Sequence, residues 1–102
     1  LAEVQEEIAD MAKRTAAWLL TRDLYARTVT IKVRYSDFTT ITRSHTDRAT
    51  RDEERIVGRA LTLVERTEAG RRPIRLLGVS VHNLCETQEV EPEGPPRLPF
   101  YD

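Results

Sequence analysis

A chain of 102 residues, 39% of them hydrophobic and 32% charged, is long enough for one hydrophobic core and too short for two. No apolar run approaches the roughly 18 residues of a membrane helix, so a membrane partner is not expected. The net charge of −1 argues against a polyanionic partner, but its layout does not: residues 13–83 hold 15 of the 16 Lys and Arg against 8 of the 17 Asp and Glu, a basic centre between acidic margins.

Leu1, Val4, Ile8, Met11, Thr15, Trp18 and Leu19 recur at three- and four-residue spacing. With Ala9, Ala12, Ala16 and Ala17 favouring the same conformation, they predict a helix over about residues 2–21, with Met11 and Trp18 in the core. Next, Val29, Ile31, Val33 and Tyr35 alternate with Thr28, Thr30, Lys32 and Arg34. This period of two predicts a strand over 26–35 with one apolar face and one cationic, hydroxyl-rich face. Ser36-Asp37 suits a tight turn, because both side chains can bond the local backbone. Residues 38–46 read as the hairpin partner, with Thr40, Thr42 and Ser44 on one face and Thr39, Ile41, Arg43 and His45 on the other. A strand polar on both sides suits a thinly buried end or a bulge.

Thr50-Arg-Asp-Glu53 matches a capping box and opens a second helix. The buried face of that helix is expected from Ile56, Val57, Ala60, Leu61, Leu63 and Val64, with Gly70 as a left-handed C-terminal cap. Pro73 ends any helical continuation, and Ile74–Val81 reads as a third strand. From Glu86 onward, four prolines and five acids predict an extended tail, giving a domain over 1–85 and an acidic, Pro-rich segment over 86–102. Cys85 is the single cysteine and no cationic-then-apolar leader is present, so a reducing, cytoplasmic setting is expected. The opening on Leu1 leads us to expect a piece of a longer protein.

Reactive constellations are sparse. Asp52, Glu53 and Glu54 point roughly 100° apart on a helix and suit its positive end better than a metal. His45, His82 and Cys85 have no zinc-site spacing, the serines have no legible His/Asp partners, and the glycines form no phosphate loop. Catalysis by this chain alone is not expected. Phosphate binding is better supplied: Thr30, Lys32 and Arg34 share a face, Arg43, Ser44 and His45 lie on the adjoining strand, and Arg75 starts the third. The competing reading is an ordinary solvated sheet face. Base-specific reading is not expected, since no recognition helix or stacking aromatic pair is evident.

The segment Ala26-Arg-Thr-Val-Thr-Ile-Lys-Val-Arg-Tyr-Ser-Asp-Phe-Thr-Thr-Ile-Thr-Arg-Ser-His-Thr46 resembles the little-finger domain of Y-family translesion DNA polymerases of the DNA polymerase IV (DinB) type. Pro73-Ile-Arg-Leu-Leu-Gly-Val-Ser-Val-His-Asn-Leu84 resembles that family's last strand, and the likeness covers roughly residues 1–84. It implies an α+β fold: an antiparallel or mixed sheet backed on one face by two helices, in βαββαβ order lacking the first strand. It further implies that the open face lies across the major groove of primer–template duplex and touches mostly phosphates. By position, Thr42, Arg43, Ser44, His45, Thr46, Arg75 and Ser80 are the implied contacts, and the alternation adds Lys32 and Arg34.

Two departures from the family pattern carry consequences. No Lys-Ser strand precedes Leu1, so open sheet edges, and with them self-association, strand swapping or capture of the 86–101 tail, are expected. The catalytic palm with its paired magnesium-binding carboxylates is not in this chain, so polymerisation and Mg²⁺ are expected of the parent protein. Arg97-Leu-Pro-Phe-Tyr101 is similar to the peptides by which bacterial polymerases dock on the sliding clamp, with Leu98, Phe100 and Tyr101 as pocket-filling candidates and Arg97 in place of the usual Gln; the alternative is a plain linker. Two rival readings are a protein-interaction module working through the sheet edge or tail, and a small metal-dependent hydrolase centred on His45, His82 and Asp52.

Overall fold

The computed structural model describes residues 2–87, in the order α1 (Ala2–Thr21), β1 (Tyr25–Tyr35), β2 (Thr40–Thr50), α2 (Glu53–Glu65) and β3 (Ile74–Cys85). Residues 88–102, including the clamp-peptide candidates Leu98, Phe100 and Tyr101, lie outside that range. The strands form one antiparallel sheet in the order β2-β1-β3, and both helices cover the same side of it. This is the expected α+β layer architecture, wholly antiparallel.

The alternation in β1 decides which side the helices cover. Val29, Ile31 and Val33 are fully buried and Tyr35 is 2% exposed, while Lys32 between them is exposed. Ile8, Ala12 and Leu19 of α1 and Ile56 and Ala60 of α2 close the same core with no exposure at all. Each of the larger side chains contributes about 1.5–3 kcal/mol through burial. Tyr35 satisfies its hydroxyl at the core margin: the Glu68 amide donates to it at 2.9 Å, and the Arg72 guanidinium lies 4.0 Å from the ring centre.

Helix α1 stops because Asp23 turns left-handed at φ 55°. The Leu24 amide then donates back to the Leu19 carbonyl at 3.0 Å and the Asp23 amide to Leu20 at 3.1 Å, the paired bonds of a Schellman motif. The buried stripe runs through Ala12 and Ala16 rather than through Trp18, which is 42% exposed; Met11 is half-buried. The expectation that Trp18 is core is therefore corrected. α1 lies over the margin of the sheet, and its Trp18 side overhangs the outer edge of β3, with Arg22 5.2 Å from the ring centre.

Two caps also differ from expectation. The α2 N-cap is Asp52, whose carboxylate accepts from the Arg55 amide at 3.1 Å. Thr50 still belongs to β2 and instead accepts from the Asp52 amide at 3.0 Å, so the expected capping box is a strand end feeding an aspartate cap. Gly70 is left-handed at φ 97°, but α2 has already ended at Glu65 with Arg66 as its C-cap, and Gly70 serves the following turn. Among the described residues no helix is long and apolar enough to cross a membrane.

Candidate nucleic-acid interface

Cross-strand register fixes the uncovered face. Thr28, Thr30, Lys32 and Arg34 of β1 stand opposite Thr46, Ser44, Thr42 and Thr40 of β2, and opposite His82, Ser80, Gly78 and Leu76 of β3. Directly opposed residues share a face, so these twelve make one surface. None is a carboxylate. Lys32 sits at its centre, between the small Thr42 side chain and Gly78, which has none; its ammonium is flanked by little that could cover it.

The hydroxyls around Lys32 are ordered in pairs. Thr28 and Thr46 approach to 2.9 Å and Thr30 and Ser44 to 2.8 Å. In each pair one hydroxyl proton holds the pair together, and the other is left to donate outward. Arg34 donates from Nε to the Thr40 hydroxyl at 3.0 Å, which fixes its plane and leaves the terminal amino groups for an anion. On β3, Ser80 and the His82 Nε2 lie 3.0 Å apart. Asn83, left-handed at φ 55°, turns its amide to donate to the Thr28 hydroxyl at 2.6 Å.

The acids nearest this sheet are engaged elsewhere. Asp23 pairs with Arg51 at 2.8 Å and Asp37 with Arg72 at 2.8 Å. The Thr39 amide and hydroxyl, then Arg72, hold the Asp37 carboxyl below its ordinary value. Asp47 is likewise lowered, first by the Arg48 amide that donates to it at 2.8 Å and then by Arg59 and His45. The basic side chains of the open face thus keep their charge uncompensated by it.

Seven of the sequence-selected residues come together here: Thr30, Lys32, Arg34, Thr42, Ser44, Thr46 and Ser80. Three do not. Arg43 stands opposite Ile31 and His45 opposite Val29, so both project to the helix side of the edge strand β2, and grouping them with Lys32 on the free face is corrected. The physical reason is the strand period itself, which separates neighbours at 42–46 onto alternate faces. Arg43 bonds the Thr42 carbonyl at 2.8 Å, and His45 lies 3.7 Å from Asp47. Arg75 falls at the irregularity between the Arg34 and Tyr35 pairings, its guanidinium 4.5 Å from the centre of the Phe38 ring. Thr40, His82 and Asn83 join the face although the sequence reading did not select them. Alternation along β3 pointed to His82; nothing in the sequence marked the turned backbone of Asn83.

The hydrolase reading loses its geometry. His45 is on the helix side of one edge strand, His82 on the open face of the other, and Asp52 caps α2. Among the described residues no three His, Cys, Asp or Glu side chains are grouped to hold a metal ion.

Residues 1–95 match the model of the impB/mucB/samB family C-terminal domain. The chain belongs to this family. It is 48% identical over 83 residues to a DNA polymerase IV of Alkalilimnicola ehrlichii, a match covering 81% of this chain and 23% of that protein. It is 40% identical over 92 residues to the DNA polymerase IV of Halorhodospira halophila (86% and 25%) and 37% identical over 82 residues to that of Listeria welshimeri (79% and 23%). The chain thus spans about a quarter of the length of these relatives. The resemblance drawn from the Ala26–Thr46 and Pro73–Leu84 segments is the one the comparisons return, and within this family domain the open sheet face is the surface without a protein cover among the described residues.

Proposed function

We propose that this domain grips the primer–template duplex of a translesion DNA polymerase of the polymerase IV type by its phosphates. The observation that carries the proposal is a carboxylate-free sheet face with Lys32 at its centre, Arg34 beside it and ordered hydroxyl pairs around both. Lys32 and Arg34 replace condensed counterions. Thr30, Ser44, Thr42, Thr46 and Ser80 add neutral donors that fix register without reading bases. Such contacts are indifferent to base identity and damage, which suits an enzyme that copies damaged templates. Arg43, His45 and Arg75 serve at the rim of this face rather than on it.

Nucleotidyl transfer, and the Mg²⁺ it uses, belong on this reading to the palm of the parent protein, and the whole works in the cytoplasm. This chain supplies residues 1–85 as the gripping domain and 86–102 as an acidic tail. Among the described residues nothing favours docking on a sliding clamp. A second association is favoured by one observation: among the described residues β3 has a strand on one side only, and its core-facing Leu77, Val79 and Val81 are only partly buried, which suits an added strand from a second copy or from elsewhere in the protein.

The test is titration of the 102-residue chain with duplex DNA of two unrelated sequences at two salt concentrations. Dissociation constants on the order of 10⁻⁴–10⁻⁶ M, falling steeply in affinity with salt and equal for both sequences, are expected. Binding that ignores salt, or that separates the two sequences, removes the proposal in favour of a protein-interaction module.

A further inference from the structure

On the helix side of β2 the structure holds a second basic feature, a groove of about 350 Å³ between the edge strand and α2. Arg55, Arg59, Thr62 and Arg66 of its α2 wall follow one another at four-, three- and four-residue steps, which places them within a narrow arc along about 16 Å of helix. Gly58 interrupts that wall without a side chain, and a Cβ built on it would meet nothing within 4 Å, so the helix backbone is open to approach. His45 and Asp47 of β2 form the opposite wall.

The charges in the groove divide by role. Arg59 donates to the Arg48 carbonyl at 2.8 Å and to the Arg27 carbonyl at 3.3 Å, which ties α2 to the sheet where the β1–β2 register shifts and sets the width of the groove. Asp47 is held by the Arg48 amide, with Arg59 and His45 close enough to lower its carboxyl. Among the described residues the side chains of Arg55 and Arg66 make no hydrogen bond or ion pair. Two guanidinium groups therefore stand at either end of an arginine-set groove with their donors unspent on any other described residue.

We propose that this groove takes the sugar–phosphate backbone of a single nucleic-acid strand, such as an unpaired template extension that leaves the duplex at the β2 edge. The inference rests on the phosphate-gripping reading of the open face. Among the described residues β2 is the outermost strand, so Ser44 and Thr46 on the open side and His45 on the groove side are consecutive steps over one edge with no described element between them. Arg43 projects to the same side as His45 and extends the basic path. A trough of about 350 Å³ has room for a short stretch of one backbone and not for a duplex. Its lining holds no Phe, Tyr or Trp for base stacking, His45 being its one ring, so the grip is mainly electrostatic and indifferent to sequence.

The experiment compares a blunt duplex with the same duplex bearing a single-stranded extension of about ten thymidines, a length within the usual single-strand site sizes. The extension should strengthen binding several-fold at low salt. The variant Arg55→Gln/Arg66→Gln, both exposed positions, should lose that gain and reduce the salt slope on the extended ligand by about 1.4, two contacts at roughly 0.7 each for single strands. It should leave blunt-duplex binding and thermal stability unchanged. Lys32→Ala is the control for the underlying reading, because it should weaken both ligands alike. If Lys32→Ala changes nothing, the open-face proposal fails; if Lys32→Ala acts as expected but the extension adds nothing, or the double variant keeps the gain, the groove proposal alone is overturned.

Discussion

Ile31 and Lys32 are chain neighbours with opposite assignments, and the pair makes the sheet's two-sidedness testable. Ile31 is fully buried beneath both helices, so Ile31→Ala should cost roughly 2–5 kcal/mol in denaturant unfolding while leaving the DNA-facing groups intact. Lys32→Ala should change stability by no more than about 0.5 kcal/mol and reduce the salt slope of duplex binding by about 0.9, one phosphate contact. An exchange of these two outcomes would mean that the faces are misassigned. Tyr35→Phe should cost about 1–3 kcal/mol, because the partly buried Glu68 amide loses its acceptor. The alternation of Val29, Ile31, Val33 and Tyr35 was legible because a period of two leaves each residue only two places to be. Trp18 was not, since helical spacing defines a broad stripe and the sequence does not say which flank meets the sheet. Arg43 and His45 were misplaced for a different reason: residue chemistry was allowed to group what strand geometry separates.

At the scale of elements, the turns and caps carry the information that residue type alone blurs. Asp52→Ala should destabilise α2 by about 1 kcal/mol through loss of the bond to the Arg55 amide, and Thr50→Ala should not reproduce a helix-cap loss, because Thr50 is the last residue of β2. The sequence showed that a helix starts near residues 50–53; it did not show which of two capping residues the chain uses, since strand length decides that. The hairpin offers a pH test. Asp37 accepts from the Thr39 amide at 3.0 Å and pairs with Arg72, and its carboxyl is lowered in the folded chain. A lowered folded value means that its contribution is complete above the ordinary carboxylate value of about 3.9 and is lost as pH falls through the folded one. Acidification should therefore raise amide exchange at Phe38 and Thr39 in that window, and Asp37→Asn should flatten the response. The Ser36-Asp37 turn was legible from composition. The left-handed Phe38, φ 71°, which closes the turn by donating to the Tyr35 carbonyl at 2.9 Å, was not, because large side chains seldom take that conformation.

For the whole molecule, the net charge of −1 says little about what the domain touches, because its acids and bases are laid out on different surfaces. The order and number of elements were legible, as was the layer architecture, since amphipathic helices and a half-apolar strand leave few other ways to bury a core. The condition of the sheet margin was not legible, because it depends on packing across elements. On β1, Val29, Ile31, Val33 and Tyr35 are sealed to within 2% exposure; on β3 their neighbours Leu77, Val79 and Val81 remain partly open, beside the half-exposed Met11 and Trp18 on α1. An edge strand in that condition offers unpaired amides and carbonyls together with unfilled apolar surface, which is the combination that recruits another strand. The 102-residue chain should therefore show a mass that rises with concentration in sedimentation equilibrium, and the amides of β3 should gain exchange protection as it does. Val79→Lys places a charge at the centre of this margin and should hold the chain monomeric while duplex binding at the opposite face persists. A chain that stays monomeric at every concentration, with β3 exchange unaltered, would show that α1 shields this edge well enough alone.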